Sequence, residues 1–193
     1  MLVRGKQPSG SMVHYGGDSG LVDTYRKGTL HFYNNTVIIM NGAYPDWQTT
    51  ALFELSTNEE RLDMQSNVVF AEKAPKAESP VVLLGARDGV VSGVASLSQN
   101  WISTGINALD GIPGKPLDIK AKMTGFEASL RGADPGLSDV TKLELWPKSG
   151  SALIGKGTKP KTGHEVSMQY LTHQKSEPRP TADPPSIGAF EPR

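Results

Sequence analysis

Cysteine is absent from the 193-residue chain, which excludes a disulfide framework, a thiolate metal centre and a cysteine nucleophile. Excess charge of either sign is absent too, because 20 Lys and Arg are matched by 20 Asp and Glu. A neutral chain lacks the basic surplus of a general nucleic-acid binder and the pull toward anionic membranes of a polybasic one. No apolar run approaches the length that spans a bilayer. The expected partners therefore include neither nucleic acid nor membrane. Residues 1–6 contain no apolar segment of the signal-peptide kind. That leaves open a cytoplasmic protein and a piece or mature form of a longer chain.

Turn formers, by contrast, are plentiful, with 21 Gly and 14 Pro, so the chain changes direction often. Between the turns lies a repeat. Thr29-Leu30-His31-Phe32-Tyr33-Asn34-Asn35-Thr36-Val37-Ile38 aligns with Arg61-Leu62-Asp63-Met64-Gln65-Ser66-Asn67-Val68-Val69-Phe70, and a third copy runs from Val94 to Ile102. Apolar residues stand five and three positions before each Asn (Leu30 and Phe32, Leu62 and Met64, Ala95 and Leu97) and two after it (Val37, Val69, Ile102). Period-two alternation marks a strand with one buried face, and apolar residues resume directly after the Asn. The Asn therefore marks a corner between two strands. A further apolar run lies in each repeat, at 12–15, 51–55 and 81–84.

Three short strands per repeat of about 33 residues form one coil of a solenoid, which buries its inner face only by stacking on its neighbours. The fold predicted is all-β, a right-handed single-stranded parallel β-helix of about three to five coils with a loop-rich C-terminal segment. Asn35, Asn67 and Asn100 are its expected structural ladder. Asn tolerates left-handed backbone angles, and stacked amides bond from coil to coil.

The chain divides into coils over 1–103, final coils with an irregular closing segment over 104–157, and an extended polar segment over 158–193. Residues 111–116 read as loop, 117–123 and 140–146 as strands, and Phe126 and Leu130 as part of a helical turn or a strand. The polar run 158–185 reads as extended loop, anchored on the solenoid by Ile187, Ala189 and Phe190; a disordered tail is the alternative. Extrapolated backwards, the ladder position falls just before Met1. The chain is thus expected to begin in mid-coil and to be truncated from a longer protein. An open end needs a cap or partner, so a homo-oligomer through that end is expected.

Tyr15-Gly16-Gly17-Asp18, followed by Tyr25-Arg26-Lys27-Gly28-Thr29-Leu30-His31-Phe32-Tyr33-Asn34-Asn35-Thr36, resembles bacterial right-handed parallel β-helix repeat proteins of the pectate-lyase-like superfold. The segments Ala133-Asp134-Pro135-Gly136-Leu137, Leu145 to Gly157 and Ile187-Gly188-Ala189-Phe190-Glu191 resemble the closing segment of such proteins. The resemblance implies the fold and an extracellular or periplasmic location. It leaves activity open, since the fold hosts polysaccharide lyases, glycoside hydrolases, esterases and phage tailspikes.

Candidate chemistry gathers between His14 and His31. Aromatic faces stack on sugars and cations bind carboxylates, which makes His14, Tyr15, Tyr25, Tyr44 and Trp47 candidate carbohydrate contacts. Lys27, His31 and Arg26 are candidate catalytic groups of the types a lyase uses as base or charge neutraliser. The competing reading is that the histidines face solvent and Arg26-Lys27 is a polar turn. Asp18 and Asp23 are candidate calcium ligands only if the loop folds back and the protein is a lyase; otherwise no metal or cofactor is expected. Asn58 to Arg61 reads as a solvated turn. Gly10-Ser11 and Gly150-Ser151 lack the setting of a serine nucleophile. The functional expectation is a β-helix module without evident catalytic machinery, acting in carbohydrate binding or self-association. The alternative is a polysaccharide lyase or glycoside hydrolase acting on an extended polysaccharide.

Overall fold

The computed structural model describes residues 1–4, 11–40, 49–111, 116–171 and 174–193. It is a parallel β-solenoid of about four turns. No α-helix occurs among the described residues, and no helix is long and apolar enough to cross a membrane. A first strand, β1 (Leu2–Arg4), is followed by four coils. These are β2 (Ser11–Tyr15), β3 (Gly28–Tyr33) and β4 (Thr36–Ile39); β5 (Thr50–Leu55), β6 (Glu60–Gln65) and β7 (Val68–Ala71); β8 (Val81–Leu84), β9 (Val90–Val91), β10 (Val94–Ser98) and β11 (Trp101–Ser103); and β12 (Asn107–Leu109), β13 (Asp118–Ile119), β14 (Lys122–Thr124) and β15 (Leu130–Gly132).

Stacking the coils gives three long parallel sheets. Sheet I is β2-β5-β8-β12, sheet II is β3-β6-β10-β14, and sheet III is β1-β4-β7-β11-β15. Their register matches the repeat read from the sequence. Leu30, Leu62, Ala95 and Met123 form one row, Phe32, Met64 and Leu97 a second, and Val37, Val69 and Ile102 a third. These rows make the interior, where Phe32 meets Phe53 edge-on at 5.0 Å.

The ladder forms at the corner from sheet II to sheet III. Asn67 Oδ1 accepts from the Asn35 backbone N–H (2.8 Å) and side-chain amide (3.2 Å), and Asn100 Oδ1 accepts both equivalent bonds from Asn67 at 2.9 Å. One expectation is corrected here. The left-handed residue at each corner is the one before the ladder Asn: Asn34 (φ 49°), Ser66 (φ 56°) and Gln99 (φ 52°). The ladder residues are needed for their amides, not for their backbone freedom. The fourth coil carries Ser129 at the ladder position, since Leu130 pairs with Trp101. The repeat fades in the sequence there although the coil persists.

The middle strands of sheet III, β4, β7 and β11, are buried on both faces, which explains why 36–39 and 68–71 are apolar without alternation. Val37, Ile39, Val69 and Ile102 face the interior. Ile38, Val68 and Trp101 pack outward against Leu137, Leu145, Leu153, Ile187 and Phe190 of the closing segment. That segment contains two antiparallel hairpins, β16 (Leu137–Asp139) with β17 (Glu144–Pro147) and β18 (Met168–Leu171) with β19 (Lys175–Pro178). The strand expected over 140–146 is therefore a turn followed by β17, and the polar run 158–185 is not wholly loop.

The last residues are pinned to the corner. Asn34 Nδ2 donates to the Ser186 and Gly188 carbonyls, and the Gly188 N–H donates to Ser66 O at 2.8 Å. Gly188 sits at φ 101°, and a Cβ there would lie 2.9 Å from Thr36 Oγ1, so the close approach needs glycine. A buried ion pair, Arg179 to Glu191 at 2.6 Å, closes the tail.

Candidate functional site

Where sheet I turns into sheet II, the connections of four successive coils stack side by side. They enclose a surface cavity of about 400 Å³ lined by Val22 and Tyr25 of the first coil, Ser56 to Asn58 of the second, Arg87, Asp88, Val90 and Ser92 of the third, and Lys120 of the fourth. The local sequence builds this corner from glycine and short polar residues. Ser56 Oγ accepts from the Gly17 N–H (3.0 Å) and donates to the Gly17 carbonyl (2.8 Å). Any Cβ on Gly16 would strike Ser56. Asn58 ties three coils together, accepting from the Gly93 N–H at 2.7 Å and donating to the Lys120 carbonyl at 2.9 Å.

The residues expected to act together divide between two places. His14, Tyr15, Asp18, Tyr25, Arg26 and Lys27 lie at or beside this corner. Tyr25 lines the cavity, and its hydroxyl accepts from the Gly20 N–H at 2.9 Å. Arg87 reaches across to His14 Nε2 (3.2 Å), Glu54 (3.6 Å) and the Asp18 carbonyl (3.4 Å). A guanidinium can only donate, so His14 Nε2 is an acceptor there. Its 3.0 Å contact with Ser56 Oγ is not a nucleophile waiting on a base, because the Ser56 proton has the nearer Gly17 carbonyl.

Lys27 is held by Glu59 (3.3 Å) and Glu60 (3.7 Å), while Tyr15 Oη donates to the Lys27 carbonyl. Glu60 corrects the expectation of a solvated turn. It is fully buried, and it accepts from the Thr57 N–H and hydroxyl at 2.6 Å. Arg26, Asp18 and Asp23 are exposed. No group of three or more metal-ligating side chains occurs among the described residues. Tyr44 and Trp47 lie outside the described residues.

His31 stands apart, on the outer face of sheet II. Its Nδ1 is 3.0 Å from Tyr33 Oη, and Tyr33 donates to Asp63. His164, delivered by the closing segment, meets the His31 ring edge-on at 4.4 Å, and Lys161 lies 3.9 Å from Asp63. Desolvation, with the Asp63 hydrogen bond and charge, pushes the Tyr33 phenol up to about 12. Sequence reasoning missed Arg87, Lys120, Asn58 and His164. Arg87 in the turn Arg87-Asp88-Gly89 was the one with a signal, a long cation beside a loop tip.

No family model matches the chain, and no curated protein or solved structure is significantly similar to it.

Proposed function

We propose that the chain is a carbohydrate-binding β-helix module that seats its ligand in the corner cavity between sheets I and II. The observation carrying this reading is the lining. An aromatic ring (Tyr25), two apolar side chains (Val22, Val90) and two cations, Arg87 held beside Glu54 and Asp88 and Lys120 beside Asp118, come from coils stacked along the solenoid axis, the direction in which an extended polymer would run. Aromatic and apolar surface suits sugar faces, and Arg and Lys suit acidic or hydroxyl-rich edges. The groups that would serve as bases nearby are engaged, Lys27 by two carboxylates and His14 by Arg87, which favours binding over chemistry. This agrees with the parallel β-helix proteins that the sequence resembles, many of which handle polysaccharides.

The test is calorimetric titration with neutral and acidic polysaccharides, run alongside ultraviolet absorbance for unsaturated product. Tyr25→Ala and Arg87→Ala are expected to weaken binding by about tenfold or more, the value of one aromatic contact or charge-assisted hydrogen bond. Affinity indifferent to both would overturn the assignment. Turnover abolished by His31→Ala would instead move the function to a lyase or hydrolase acting at the His31, Tyr33 and Asp63 cluster, the one specific observation favouring that second reading.

A further inference from the structure

The third interior row of sheet III does not end as it begins. Val37, Val69 and Ile102 are followed in register by Arg131. Paired residues of parallel strands share a face, so Arg131 points into the solenoid at its C-terminal mouth. Its guanidinium donates to the Ile106 carbonyl at 2.8 Å and lies 4.8 Å over the Phe126 ring. The last coils also carry the half-buried Leu109, Leu117, Met123 and Phe126, packed against the interior, and the exposed Ile119, while Leu130, in register with Trp101, lies on the outer face. Without the arginine this mouth would be an apolar patch rimmed by the free edges of β12, β14 and β15, which are the last strands of their sheets among the described residues.

Such an edge is a template for another chain. The natural occupant is a second copy of this one, because one end of a solenoid offers strand edges at the spacing the other end presents, and a head-to-tail contact of that kind repeats without closing. We infer that Arg131 is an end-stop, an inward cation that keeps the C-terminal mouth from accepting a second copy of this chain. Docking would strip the remaining water from a guanidinium that has no carboxylate within ion-pair distance among the described residues, Glu127 acting on it only at longer range, and burying a charge without a close partner is strongly unfavourable. Partial desolvation already lowers the Arg131 pKa in the single chain, against the raising effect of the Glu127 charge, while the side chain remains exposed at the mouth.

The experiment is sedimentation velocity of the full chain over a wide concentration range, comparing wild type, Arg131→Met and Arg131→Lys. The methionine stem keeps the packing on Phe126 and removes the charge. It is expected to tighten self-association by about a hundredfold, with new hydrogen-exchange protection at the two ends of the solenoid, in β12, β14 and β15 and in β1, β2 and β3. Lysine, which keeps the charge, should match wild type. Should the methionine variant fail to fold, Arg131→Gln, which retains a donor for the Ile106 carbonyl, carries the same expectation. A methionine or glutamine variant that associates no more than wild type, or a lysine variant that associates as strongly as methionine, overturns the inference.

Discussion

Asn67 is the middle rung of the ladder and the most committed side chain in the molecule. It is fully buried. Its oxygen takes two bonds from Asn35, and its amide gives bonds to the Phe32 carbonyl (2.7 Å), the Gln65 carbonyl (3.0 Å) and Asn100 Oδ1 (2.9 Å). Asn67→Ala removes the acceptor of the Asn35 N–H and the donor to two carbonyls. The Gln65 carbonyl keeps the Asn34 N–H, so two groups lose their partner, and at about 1–3 kcal/mol for each buried group left unpaired they cost roughly 2–6 kcal/mol. For a domain of this size that corresponds to a fall in Tm of roughly 5–20 °C.

Asn35 is half-buried, and its amide donates only to the Tyr33 carbonyl and Asn67 Oδ1. Water replaces part of what it gives, so Asn35→Ala should cost only about 1 kcal/mol. Asn67→Asp keeps the shape but turns a carboxylate toward three acceptors. It should cost more than alanine at neutral pH and recover as the solution is acidified. Urea unfolding followed by circular dichroism measures the series, and hydrogen exchange at the Val68 and Trp101 amides locates the damage at the corner. If Asn67→Ala unfolds at the wild-type midpoint, or if Asn35→Ala costs more, the ladder does not hold the coils together as argued.

Other consequences follow from the same geometry. Glu191→Gln leaves Arg179 buried without its carboxylate and should cost about 3–5 kcal/mol; the Trp101 fluorescence should shift to the red as the closing segment lifts, and an unchanged spectrum and melt would count against the pin. Tyr33 is raised from its ordinary value to about 12, so its folded state prefers the protonated phenol. The stabilisation is present below pH 10 and disappears as pH rises from 10 through 12. Phenolate absorbance should show one late-titrating tyrosine that returns toward the ordinary range in Asp63→Asn; five tyrosines titrating alike would refute it.

The interior was legible because a solenoid states its core locally. Each coil repeats the same alternation, so Leu30, Leu62 and Ala95 could be aligned by eye, and the register of sheet II follows that alignment. The cavity was half legible. Tyr25 stood out by type and position, whereas Arg87, Lys120 and Asn58 come from coils whose corner loops differ in length and composition, so no repeat marked them. The grouping of His31 with His14 failed for a geometric reason. Residues 17 apart along the chain straddle a corner, and their side chains face outward from different sheets.

By itself the sequence determined the coil, its period and its inward rows, because stacking identical short strands needs only local alternation of apolar and polar residues. Only the tertiary structure decided what lies against the outside and the end of that stack. The uninterrupted apolar runs 36–39 and 68–71 signalled burial on both faces without naming the cover. Pairings such as Asn34 with Ser186, 152 residues apart, or Arg179 with Glu191 depend on where a long irregular segment comes to rest. Arg131 shows the same division at one residue. Its charge is plain in the sequence, but its inward direction at the mouth of the solenoid follows only from its register with Ile102.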